Sequence, residues 1–193
     1  NPNGKFEELV SFPTVPTGVD GFLYAGIVVQ PRPTEPFKHY MICIDAPTGT
    51  IRWKTFVASG LTEINLFGNS MRDALGSPVA VEGKNLFCST GLGAAACLDR
   101  ESGRLKWAFR YEQLPVRPTR TTYVIRNPME WFNNHPVVAD GTLFLTPADS
   151  PNLYALDAAS GKVKWSFRRE PDLRYLYGVH EGAVVLGGEN LVL

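Results

Sequence analysis

Ile44-Asp45-Ala46-Pro47-Thr48-Gly49-Thr50-Ile51-Arg52-Trp53 returns as Leu98-Asp99-Arg100-Glu101-Ser102-Gly103-Arg104-Leu105-Lys106-Trp107, and again as Leu156-Asp157-Ala158-Ala159-Ser160-Gly161-Lys162-Val163-Lys164-Trp165. Aspartate, a hydroxyl residue, glycine and tryptophan keep fixed offsets, and three of the four tryptophans share one slot. The tryptophans stand 54 and 58 residues apart. A four-stranded blade needs roughly 40 to 50 residues, so inserted loops account for the excess.

Around each copy the apolar pattern resolves into four short strands. In the third copy, 136–139 and 142–146 flank an Asp140-Gly141 turn, and strands 153–157 and 162–168 flank the motif turn. Asp-Gly between apolar runs signals a tight hairpin, because its turn needs positive φ at both central residues. The second copy repeats the order, and Pro78 to Asp99 spans the same 21 residues as Pro136 to Asp157. Each period is therefore one meandering antiparallel sheet. Such a sheet cannot bury both faces alone, so the units stack radially. The expected fold is an all-β propeller segment in a single partial domain, 1–193. Its blades are placed at 12–59, 77–112 and 135–170, with the start of a fourth at 177–193. The first blade is irregular, with a proline-rich excursion over 30–38.

The pattern small-x-Asp-x-x-Thr/Ser-Gly-x-x-x-Trp resembles the blade signature of the pyrroloquinoline-quinone-type (PQQ-like) repeat propellers, over about residues 12–193. That group includes quinoprotein dehydrogenases and a propeller lipoprotein of outer-membrane assembly. The resemblance implies structural roles for Asp45, Asp99 and Asp157, for Gly49, Gly103 and Gly161, and for Trp53, Trp107 and Trp165. Each tryptophan is expected to dock between adjacent blades from an outermost strand. An extracytoplasmic location, periplasmic or secreted, follows from the same resemblance.

Composition narrows the partners. Nineteen basic residues balance nineteen acidic ones, leaving no net drive toward nucleic acid. No apolar run approaches the roughly 18 residues of a membrane span. The 18 glycines and 15 prolines exceed a background of about 12% and fit frequent turns. The chain begins at Asn1 without a charged-then-apolar leader, which is read as a removed signal peptide or an excised piece. Three blades and part of a fourth leave open faces, so the expected partners are a protein, remaining blades of a longer parent, or a second copy.

Strand parity directs the insertions over 30–38, 60–76 and 113–134 to one rim, and binding residues concentrate in loops held by rigid scaffolds. The third insertion carries Arg117, Arg120, Tyr123, Arg126, Trp131 and Phe132, a cationic, aromatic set suited to an anionic ligand or protein partner. Two readings stay open for Trp131 and Phe132, which either belong to that surface or plug the end of the core. Asn65, Asn69, Arg72 and Asp73 in the second insertion read as solvating or capping residues.

Catalytic signatures are sparse. His39, His135 and His180 fall at expected strand edges without metal-ligand spacing, and no G-x-S-x-G elbow occurs. Cys43, Cys88 and Cys97 are read as buried thiols, with Cys88 placed opposite Ala95. No vicinal cysteine pair of the methanol-dehydrogenase type is present. The expectation is a non-catalytic binding or scaffolding module with no cofactor in this segment. The alternative is part of a dehydrogenase using pyrroloquinoline quinone and calcium to oxidise an alcohol or sugar.

Overall fold

The computed structural model describes residues 9–30, 35–60, 76–114, 131–188 and 191–192, and every regular element among them is a β-strand. The first sheet contains β1 (Leu9–Ser11), β2 (Thr17–Val19), β3 (Phe22–Gln30), β4 (Phe37–Asp45) and β5 (Ile51–Gly60). Both β1 and β2 pair with β3, so the first strand of this blade is split into two short pieces. Two regular blades follow. One is β6 (Ala80–Glu82), β7 (Asn85–Ser89), β8 (Ala94–Asp99) and β9 (Leu105–Arg110). The other is β10 (Val137–Ala139), β11 (Thr142–Leu145), β12 (Asn152–Asp157) and β13 (Val163–Arg168). Each is a four-stranded meander in sequence order. A three-stranded sheet of β14 (Leu173–His180), β15 (Ala183–Gly188) and β16 (Leu191–Val192) comes last.

Alternation along the strands decides how the sheets stack. Leu86, Cys88, Ala96 and Leu98 point from the second sheet toward Tyr24, Met41 and Cys43 of the first. Phe87, Ala95 and Cys97 point the other way, toward Leu143, Tyr154 and Leu156 of the third. Phe144, Leu153 and Ala155 then pack on Leu173, Leu176 and Leu186 of the fourth. A period of two thus gives each central sheet two apolar faces, as radially stacked blades require.

The motif turn has the same geometry in all three copies. Asp45, Asp99 and Asp157 accept on Oδ1 from the backbone N–H and hydroxyl of Thr48, Ser102 and Ser160. The glycine four residues after each aspartate has φ near +70°, a conformation that other residues adopt only with strain.

Several local expectations differ from the structure. Cys88 lies opposite Ala96, one place from Ala95, because Thr90 still pairs through its N–H to Ala94 O at 2.9 Å and shortens the loop. Cys88 and Cys97 consequently face opposite sides of their sheet. Burial raises their thiols to about 12 and about 11, so both are protonated and unreactive at neutral pH. His39 is interior to β4 and 1% exposed, not at a strand edge. The fourth sheet starts at Leu173, ahead of 177. Its added length comes from Leu173 and Leu176, buried three residues apart because two register shifts interrupt the alternation of the strand.

Candidate functional site

The loops expected to carry recognition lie partly outside the described residues: Arg117, Arg120, Tyr123 and Arg126 of the third insertion, and Asn65, Asn69, Arg72 and Asp73 of the second. The end of the third insertion is described. Trp131 is 0% exposed, packed with Phe144, Leu153 and Leu173, and so offers no accessible ring. Phe132 points outward. Its N–H donates to Arg174 O at 3.0 Å, and its ring stacks on Tyr175 at 4.8 Å and 4°. Tyr175 in turn stacks on Tyr177 at 5.9 Å and 15°.

Tyr177 is the unpaired residue of the second bulge in β14, and the bulge turns its ring to the side of Tyr175. Gly187 lies directly beneath Tyr177, where an added Cβ would run into the ring. Glycine there lets the ring lie down on the sheet. The result is an exposed aromatic column, 45%, 36% and 62% open at Phe132, Tyr175 and Tyr177. Exposed aromatics grouped in this way mark interaction surfaces more than isolated apolar residues do. Truncating Phe132 to alanine is expected to shift the melting temperature little, because nearly half its surface already meets water.

A polar network on the same rim ties the second blade to the third. Asp149 Oδ1 accepts from Tyr111 Oη at 2.8 Å, and Oδ2 accepts from Gly93 N at 3.1 Å and Gln113 Nε2 at 3.0 Å. Burial, with the Asp149 charge beside it, holds the Tyr111 hydroxyl well above its usual range. Tyr154 Oη receives the Glu112 N–H at 3.1 Å and meets Ser150 Oγ at 3.3 Å. Both carboxylate oxygens of Asp149 are spent on structure. Replacing it with alanine leaves a buried phenol and amide without acceptors, which costs about 3 kcal/mol in a denaturation experiment; asparagine, keeping one oxygen, costs less.

Sequence reasoning did not single out Asp149, Tyr111, Tyr175 or Tyr177. The first two come from loops of different blades with no repeat counterpart. The tyrosines read only as an alternating strand.

At the blade junctions, Trp53 Nε1 donates to Arg100 O at 3.1 Å, and Trp107 Nε1 to Ala158 O at 3.0 Å. Each indole lies on the motif glycine of the next blade, Gly103 or Gly161, where an added Cβ would meet the ring at 2.6 Å. Trp165 is 44% exposed, and Gly49 has no neighbour within 4 Å of its Cβ position.

Among the described residues no three of His, Cys, Asp and Glu come together as a metal site. No helix among the described residues is long and apolar enough to cross a membrane.

The model of a family described as outer membrane protein assembly factor BamB matches residues 38–193. No curated protein sequence matches the chain. Among solved structures, BamB from Moraxella catarrhalis is 22% identical over 84% of this chain and 40% of its own, with a TM-score of 0.47. A quinohemoprotein alcohol dehydrogenase from Pseudomonas putida is 21% identical over 81% of this chain and 20% of its own, at 0.51. The computationally designed Ika4 protein is 8% identical, covers 98% and 92%, and scores 0.54. The chain therefore spans less than half the length of the two natural proteins. At these identities the likeness shows the fold alone.

Proposed function

The chain belongs to the family described as outer membrane protein assembly factor BamB, whose PQQ-like repeat it carries; from that premise we propose a non-catalytic, extracytoplasmic propeller module that binds a protein partner. The observation that carries this reading is the exposed column Phe132–Tyr175–Tyr177. It stands where the described chain resumes after the insertion bearing Arg117, Arg120, Tyr123 and Arg126. Aromatic rings and arginine are the side chains that most often anchor protein interfaces. The family description, an assembly factor, supports a role in holding other proteins.

The test is photo-crosslinking in the native cells, with a photoreactive residue at position 132 or 177 and a control at Val163, which is 48% exposed on β13. A discrete adduct from 132 and 177, absent from 163, is the expected result. No adduct, or the same adduct from all three positions, contradicts the reading. The quinone-enzyme alternative is checked separately: adding pyrroloquinoline quinone and calcium is expected to give no protein-bound absorbance and no alcohol-dependent dye reduction.

A further inference from the structure

Three copies of one motif act as internal controls for each other. In every blade the residue before the tryptophan is the unpaired residue of a β-bulge. Cross-strand partners jump from Cys43–Trp53 to Ile44–Ile51, from Cys97–Trp107 to Leu98–Leu105, and from Ala155–Trp165 to Leu156–Val163. A bulge re-aims such a side chain out of the ladder. In the second blade the bulged Lys106 is held at home, with Nζ donating to Asn85 Oδ1 at 2.6 Å and lying 3.5 Å from Asp99 Oδ2. The third blade does likewise, Lys164 Nζ donating to Thr142 Oγ1 at 2.7 Å and Gly141 O at 3.3 Å.

The first blade breaks this rule. Phe22 faces Asp45 across the ladder as Asn85 faces Asp99 and Thr142 faces Asp157, so a phenyl ring stands where the other blades place an acceptor. Arg52, at the bulge, lies 6.0 Å over that ring. A second departure falls at the same junction. The residue after the motif aspartate is Ala46 or Ala158 in two copies but Arg100 in the second, and its guanidinium reaches Asp20 of the first blade at 2.7 Å.

These departures border a cleft of about 240 Å³ between the first two blades, with Arg52 and Arg100 on its walls and Phe22, Tyr24 and Cys43 at its apolar base. Asp20 and Glu101 also line it, each beside a cation on the exposed edge of the cleft. Asp20 binds Arg100, and Glu101 lies 3.7 Å from Lys84. The nearby Asp45 receives both Thr48 donors on Oδ1. Arg52 makes no hydrogen bond among the described residues, although its charge acts on Asp45 and helps to hold that carboxyl below its usual range, after the two Thr48 hydrogen bonds. The cleft opens at the rim of the Asp20-Gly21 turn, opposite by strand parity to the rim of Phe132.

We propose that this cleft binds a small amphipathic carboxylate, its anionic group on Arg52 with Arg100 alongside, and its apolar body against Phe22, Tyr24 and the Cys43 thiol. A guanidinium fork matches a carboxylate through two parallel bonds, stronger than neutral hydrogen bonds. Tyr24 and Cys43 are 2% and 3% exposed, so the base of the site is packed before anything binds. A preformed apolar base with few oriented polar groups is the usual character of a small-molecule site.

Benzoate is the probe, with benzyl alcohol as its uncharged counterpart, followed by calorimetry and by the Nε–H NMR signals of Arg52 and Arg100. Benzoate is expected to saturate at one site and move both signals, with benzyl alcohol at least about tenfold weaker for want of the charge-assisted bonds. Arg52→Gln should lower benzoate affinity by about tenfold or more, while Lys106→Gln leaves it unchanged. The double variant Phe22→Asn with Arg52→Lys recreates in the first blade the pair that Asn85 and Lys106 form in the second. It should fold and lose benzoate. Absence of saturable binding by the folded wild type overturns the proposal. So does undiminished binding by Arg52→Gln or by the folded double variant. A blocked aspartate bound as tightly as benzoate would overturn the role given to the apolar base.

Discussion

Truncating Trp107 to alanine is expected to cost about 3 to 5 kcal/mol, the range for removing a large buried aromatic. The indole packs at 6.0 Å from the Phe87 ring within its own blade. It also lies on Gly161 of the next blade and donates to Ala158 O. Losing it leaves a cavity between two sheets and an orphaned carbonyl. Trp131→Ala should cost a similar amount, because that ring is 0% exposed in the third core cluster. Trp165→Ala should cost clearly less. Trp165 keeps its contact with Phe144 at 5.8 Å, but 44% of it is exposed. Denaturant midpoints for the three variants check the order, and a Trp165 loss equal to that of Trp107 contradicts it.

Acid should destabilise the chain through His39 before the motif aspartates titrate. Burial drives this histidine down to about 4, only partly offset by the Thr90 carbonyl 3.2 Å from Nδ1. Unfolded, it titrates near 6.5. Between those values the unfolded chain takes up a proton that the native chain refuses, so stability falls as pH drops from 6.5 to 4 and does not depend on His39 above about 7. At about 1.4 kcal/mol per pH unit, the loss approaches about 3 kcal/mol. The motif carboxylates act lower. Hydrogen bonds from the Ser102 backbone and hydroxyl hold Asp99 down to about 2, so its contribution is present above 3.8 and lost only as pH falls from there toward 2. Urea midpoints at pH 7 and pH 4.5 for the wild type and His39→Leu check this. The wild type should lose stability over that interval, and the variant should lose much less.

The blades were legible because propeller geometry repeats and the chain repeats with it. Asp99-Arg100-Glu101-Ser102-Gly103 must close the same turn as its two counterparts, so residue type and spacing reappear together. Where the chain departs from the repeat, the reading weakened. The split of the first strand into β1 and β2 leaves no periodic trace. The one-residue difference at Cys88 turned on a single pairing, Thr90 N–H to Ala94 O. Phe132 was visible as an aromatic loop residue, but its partners Tyr175 and Tyr177 lie more than 40 residues away and look like ordinary strand positions. The Asp149 network joins loops from different blades and carries no local signature. Internal departures from the motif, such as Phe22 and Arg100, are readable in principle once the register is known.

Trp53 and Trp107 each fasten their blade to the motif turn of the next. Hydrogen exchange at the four indole Nε1–H groups, resolved by NMR, tests this most directly. Trp53 and Trp107, bonded to Arg100 O and Ala158 O, should exchange slowly, and Trp131 should be slow through burial alone. Trp165, half exposed and without such a carbonyl among the described residues, should exchange fastest by far. Slow exchange at Trp165 matching that of Trp53 and Trp107, or fast exchange at all three, would contradict the account.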